Sequence, residues 1–134
     1  MGRRLILDTN ILIAYERATI NQTQFDDDEL AIAAITIAEY RTGIELADTA
    51  ERAADRARAL ATITSTIDTL DYTDTTAAHH VRLIAHTRKQ GKSRGAHDLI
   101  IAAHALETDR LIVSRDAAAK FGDLPGITAI TAQP

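Results

Sequence analysis

The alternation of short apolar runs with helix-forming stretches restricts the fold more than any other feature of this chain. Arg4-Leu5-Ile6-Leu7, Ala31–Ile35 and Leu111–Val113 are apolar almost without interruption. Runs so short and so little patterned suit strands rather than helices, and Ala31–Ile35 suits one covered on both faces. Ile67–Asp71 and Ile127–Ile130 read as two further strands. Between them the sequence predicts helices over Ile11 to about Arg17, capped by Asn10, and over Thr36 to about Leu46. Others run from Thr49 to about Thr62, over Thr76–Gln90 with Asp74 or Thr75 as cap and Gly91 at the C′ position, and from His97 to about Thr108. Asn21–Glu29 reads as a loop or ragged helix end, and Ala117–Phe121 as a short helical turn. Strands alternating with helices imply a parallel sheet joined by right-handed crossovers, hence the α/β class. No repeat or linker divides residues 1–134, whose two prolines are Pro125 and Pro134, so a single domain is expected.

Composition removes several classes of function. Without cysteine there is no disulfide, thiolate metal site or thiol nucleophile. No apolar run approaches the length of a membrane span, the stretch after Met1-Gly2-Arg3-Arg4 is too short for a signal peptide core, and Ile6 stands where myristoylation asks for Ser or Thr. A cytoplasmic protein is the expectation.

Four acids, Asp8, Glu39, Asp98 and Asp116, fall at or near the start of a helix or turn, three of them at or beyond the carboxyl end of a strand. In an open α/β sheet that edge is where ligands bind. Carboxylates gathered at one mouth repel one another unless a cation holds them, and hard oxygen donors with incomplete protein coordination suit Mg²⁺ or Mn²⁺ and, with them, phosphate chemistry. Each acid also has an ordinary explanation. Glu39 stands at capping-box spacing from Thr36, Asp98 lies in a helix's first turn, Asp8 could form an Asx turn and Asp116 could cap the turn that follows. Four such positions together favour the shared cation.

Other chemistry finds less support. The histidines His79, His80, His86, His97 and His104 show no zinc-ligand spacing and read as surface or satisfied core residues. Gly91-Lys92-Ser93 lacks the upstream glycine and strand of a phosphate loop, and no serine sits in a nucleophile elbow. The net charge of −4 opposes a generally basic coat, yet Thr75–His97 contains no acid and carries Arg82, Arg88, Lys89, Lys92 and Arg94. Arg88, Lys89, Lys92 and Arg94 could steer phosphate toward an acidic pocket, or simply form a solvated helix end.

Four segments, in this order, resemble the PIN-domain nucleases and, among them, the VapC-type toxins. They are Leu7-Asp8-Thr9-Asn10-Ile11-Leu12, Ile35-Thr36-Ile37-Ala38-Glu39-Tyr40-Arg41-Thr42-Gly43, Gly95–Leu106 around His97-Asp98, and Leu111-Ile112-Val113-Ser114-Arg115-Asp116. The resemblance covers essentially the whole chain. It implies an α/β/α sandwich with a central, mostly parallel sheet, and a Mg²⁺- or Mn²⁺-dependent endoribonuclease. Its four acids fall on Asp8, Glu39, Asp98 and Asp116; of these, Asp8, Asp98 and Asp116 are the candidate metal ligands, while Glu39 could bind metal or orient the attacking water. Its polar residue after the first acid is Thr9 or Asn10, and its usual Thr before the fourth acid is Ser114 here. It implies a homodimer, an RNA substrate and an antitoxin whose tail occupies the acidic pocket. The competing possibilities are a catalytically inactive PIN-like binding module and a receiver-type phosphoacceptor, the latter opposed by Thr9-Asn10 where a second acid would be needed.

Overall fold

The computed structural model describes residues 2–115 and 120–134. Strand β1 (Arg4–Leu7) lies at the centre of a five-stranded sheet, followed in the chain by β2 (Glu29–Ala33), β3 (Asp68–Leu70), β4 (Leu111–Val113) and β5 (Ala129–Ile130). The spatial order is β3-β2-β1-β4-β5, and all four pairings are parallel, so the expected mostly parallel sheet is wholly parallel among the described residues. Helices α1 (Thr9–Arg17), α2 (Ala34–Glu45), α3 (Ala50–Thr66), α4 (Asp74–Lys89) and α5 (Ala96–Thr108) cover it.

Alternation along the strands builds two cores. Leu5, Leu7, Ile32 and Val113 point to the face that Ile11 and Leu12 of α1, Tyr40 of α2 and Leu60 and Ile63 of α3 cover. Ile6, Ala33 and Ile112 point the other way, to Leu83 of α4 and Leu99, Ile101 and Ala102 of α5. This is the expected α/β/α sandwich. Leu5, Ile6 and Leu7 are fully buried, each contributing about 1.5–3 kcal/mol relative to exposure. The residue after β1 is therefore carried on a rigid support.

Several helix starts differ from the sequence expectation. Asp8, not Asn10, caps α1, its side chain accepting from Thr9 N. Asn10 is inside the helix, with its amide turned to other work. Helix α2 begins at Ala34, directly out of a β2 that stops at Ala33, so the Thr36–Glu39 capping box does not form. Thr73 caps α4 through a reciprocal pair with Thr76, ahead of the expected Asp74 or Thr75. Gly91 closes that helix with φ +66°, as its C′ role asks. The C-terminal strand is shorter than expected, and a 3-10 turn at Phe121–Asp123 precedes it. His104 is buried, and neither ring nitrogen has a hydrogen-bond partner among the described residues. It is thus a core histidine whose Nδ1 lies 3.7 Å from Glu107 Oε1, and burial, outweighing that carboxylate, pushes its pKa down. Among the described residues, no helix is long and apolar enough to cross a membrane.

Candidate active site

The chain leaves β1 toward β2 on one side and leaves β4 toward β5 on the other, while β1 and β4 are direct neighbours. Where outgoing connections of adjacent strands diverge, a crevice opens at the carboxyl ends. Asp8 follows β1 and Ser114 follows β4 at that crevice. The Leu7–Val113 register sets the two side by side. Asp8 N donates to Val113 O at 3.0 Å, and Ser114 Oγ donates to Asp8 Oδ2 at 2.9 Å. Thr9 N donates to Asp8 Oδ1 at 2.8 Å. The Asn10 amide braces both sides: Nδ2 donates to Ser114 Oγ at 3.1 Å and Oδ1 accepts from Arg115 N at 3.0 Å. Asp8 is 6% exposed, and donors converging on it are what a buried carboxylate requires.

Glu39 projects from the second turn of α2. Its Oε1 accepts from Thr9 Oγ1 at 3.1 Å, and its Oε2 lies 3.1 Å from His97 Nδ1. Thr9 is the residue after Asp8, and His97 the residue before Asp98. Glu39 is thus tied to the neighbours of both other acids, and Asp8, Glu39 and Asp98 share one edge. Asp98 is the third residue of α5, whose N-cap is Gly95. A Cβ at residue 95 would come within 3.1 Å of Asp98 Oδ2, so the glycine leaves room for the carboxylate. Asp116 lies outside the described residues.

Beside Glu39, Tyr40 is buried, its hydroxyl donating to Glu16 of α1 at 3.0 Å, and burial together with Glu16 pushes the phenol pKa up. Arg56 of α3 lies 3.7 Å from the same Glu16 oxygen and donates to Gly43 O at 2.6 Å. These contacts lock the three helices on one face and fix the angle at which α2 presents Glu39. A cleft of about 160 Å³ between α1 and α2 opens beside it, lined by Thr9, Ile13, Glu39 and Tyr40 among others.

The basic stretch is divided. Arg88 and Lys89 are exposed on the last turn of α4, and Lys92 is exposed just beyond. Arg94 is different: its side chain is 10% exposed, NH1 donates to Lys120 O at 2.8 Å, and NH2 stands 3.9 Å from Asp123. It braces the segment around Lys120. Lys92, Ser93, Arg94, Lys120 and Asp123 line a common cleft of about 300 Å³. Sequence reasoning missed Lys120 and gave His97 no role. The signal for His97 was present in its place directly before Asp98.

The oxygen donors gathered here are those a hard divalent ion prefers, and Mg²⁺, which keeps several waters, needs only one or two carboxylates. The donor chemistry fits such an ion. Among the described residues no cluster of three or more His, Asp or Glu side chains stands ready to hold a metal.

A doubly covered parallel sheet with acids at the strand-order reversal defines a class that comparison with known proteins identifies. The sequence model of the PIN domain matches residues 5–124, and the chain belongs to the PIN domain family. Within that family it falls in the VapC group. Ribonuclease VapC5 of Mycobacterium tuberculosis is 33% identical over 127 residues, covering 93% of this chain and 90% of the relative. Two crystal structures share the fold at 25% identity. DNA-bound VapBC from Salmonella typhimurium aligns with a TM-score of 0.84 over 98% of each chain. VapBC-5 from Mycobacterium tuberculosis, a member of the VapBC family of toxin–antitoxin systems, aligns with a TM-score of 0.77 over 99% of this chain and 100% of its own.

Proposed function

We propose that this chain is a divalent-metal-dependent endoribonuclease, the toxin of a toxin–antitoxin pair, cutting RNA phosphodiester bonds at Asp8, Glu39, Asp98 and Asp116. Asp8 carries the proposal. A cap on α1 needs only an exposed Ser, Thr, Asn or Asp, whereas this carboxylate is buried at the strand-order reversal and braced by Ser114. Burying a charge for capping alone is costly. The ribonuclease name of the 33%-identical relative supports RNA as substrate, and the VapBC structures support an antitoxin partner. The resemblance adds the homodimer.

Asp8, Asp98 and Asp116 would hold Mg²⁺ or Mn²⁺. Such an ion supplies Lewis acidity, lowering the pKa of a water and offsetting charge on the scissile phosphate. The chain's own part is orientation. Ser114 and Thr9 N fix the Asp8 oxygens, and Thr9 Oγ1 fixes one oxygen of Glu39. The other oxygen, Oε2, lies 3.1 Å from His97 Nδ1, and from this held position the Glu39 carboxylate would align the attacking water or take its proton. Water attack uses no 2′-hydroxyl, so the preference for RNA rests on the relatives rather than the chemistry. A catalytically inactive binding module would have no use for a buried Asp8 with this bracing.

The test is incubation of purified protein with a pool of end-labelled single-stranded RNAs. Cleavage is expected with Mn²⁺, absent with EDTA and restored by excess Mn²⁺. Cleavage that persists in EDTA, or an intact pool in millimolar Mn²⁺, overturns the proposal.

The exposed cations lead to a second expectation. Replacing Arg88, Lys89 and Lys92 together by Ala should weaken RNA binding about equally across sequences. The slope of log affinity against log salt should become shallower by about 0.7 for each lost contact with single-stranded phosphate. Arg94 is left intact because it braces the Lys120 segment. An unchanged slope would assign this patch to a solvated helix end.

A further inference from the structure

We infer that His97 is a positioning residue for Glu39, an inference that rests on the nuclease reading above. The geometry is specific. Among the described residues Glu39 has two polar partners, Thr9 on Oε1 and His97 on Oε2, each at 3.1 Å. No Lys or Arg among them stands within salt-bridge distance. The two partners come from different elements, Thr9 from the start of α1 and His97 from the start of α5. Each is also the sequence neighbour of another acid of the edge. Glu39 is therefore held between the supports of Asp8 and Asp98, and the contact with His97 fixes its distance from the α5 terminus. Packing does not account for His97. Its side chain is 47% exposed while that of Glu39 is 29% exposed, so the imidazole is not in a core that would dictate its rotamer. The ring presents Nδ1, the nitrogen on Cγ, to Glu39. Thr9 alone would leave the carboxylate free to swing about its hydroxyl contact; the second donor removes that freedom. Groups that orient a site's carboxylates in this way are commonly worth about 10- to 100-fold in activity.

Two measurements test this, one without metal or RNA. In ¹⁵N-labelled, metal-free protein at about pH 8, long-range ¹H–¹⁵N spectra should show His97 protonated on Nδ1. Glu39→Leu should abolish that preference. A proton on Nε2 in the wild type, or an Nδ1–H unmoved by Glu39→Leu, overturns the inference whatever the protein cleaves. The second measurement uses the RNA assay with two variants. His97→Leu keeps bulk without a donor, while His97→Asn places a donor nitrogen on Cγ, as Nδ1 is. His97→Leu should lower kcat about 10- to 100-fold with little change in KM, and His97→Asn should recover most of it. Wild-type kcat in His97→Leu, or no recovery in His97→Asn, overturns the inference. A wild type that cleaves no RNA in Mn²⁺ fails the nuclease reading instead, and the spectra still decide the contact.

Discussion

Asp98→Asn and Asp8→Asn should each lower RNA cleavage at saturating Mn²⁺ by on the order of 10³-fold, while the folded structure persists. Both changes keep side-chain volume and remove a charge from the edge where it would offset the ion. The local structure tolerates them for different reasons. At position 8 the side chain caps α1, and Asn caps as well as Asp does. The Ser114 hydroxyl that donates to Asp8 Oδ2 can rotate and accept from the new amide instead. At position 98 the charge sits in the first turn of α5, where its loss costs about 0.3–1 kcal/mol of macrodipole interaction. Removing one negative charge from an edge that also carries Asp8 and Glu39 should offset part of that in metal-free protein. Thermal melts should therefore stay close to wild type while kcat collapses. Wild-type turnover in either variant would remove that residue from the chemistry, and a large fall in melting temperature would make its carboxylate structural.

The alternation of apolar runs and helices made the parallel sheet legible, because a strand covered on both faces cannot be polar on one of them. Strand order was not legible. That β4 rather than β3 pairs with β1 depends on which helices pack on which face, and no local pattern records it. Yet the order is what places Ser114 against Asp8, so the sequence could assign the acids to the carboxyl edge of the sheet but not to the crevice between β1 and β4. Helix starts were misplaced for a related reason. Asn10 and Thr36 both look like caps in isolation, but tertiary contacts outbid them. The Asn10 amide bridges Ser114 and Arg115, and Thr36 is wholly buried. With Thr36 inside α2, Glu39 loses its capping-box explanation and is left facing Thr9 and His97. Arg94 shows the limit of charge counting. It is one cation among several in the sequence, but in the fold its guanidinium is spent on Lys120 O and Asp123.

Divalent metal should also raise the stability of the wild type, since an ion that binds only the folded state stabilises it by mass action. At a hundredfold excess over the dissociation constant, Mn²⁺ should contribute about 2.7 kcal/mol, which for a chain of this size is roughly 10 °C in melting temperature. That excess should be reached at a lower Mn²⁺ concentration because the support exists before the ion arrives. Asp8 follows a strand whose last three residues are fully buried, and its carboxylate already has its donors. Little ordering is left to oppose binding, so the metal energy appears as folding energy. Asp8→Asn should lose most of the shift, whereas replacing Arg88 and Lys89 on the last turn of α4 should keep it. Differential scanning calorimetry with and without Mn²⁺ on these proteins reads the effect directly. An equal shift in wild type and Asp8→Asn would place the ion elsewhere. No shift in the wild type at millimolar Mn²⁺ would count against a preformed metal site at Asp8.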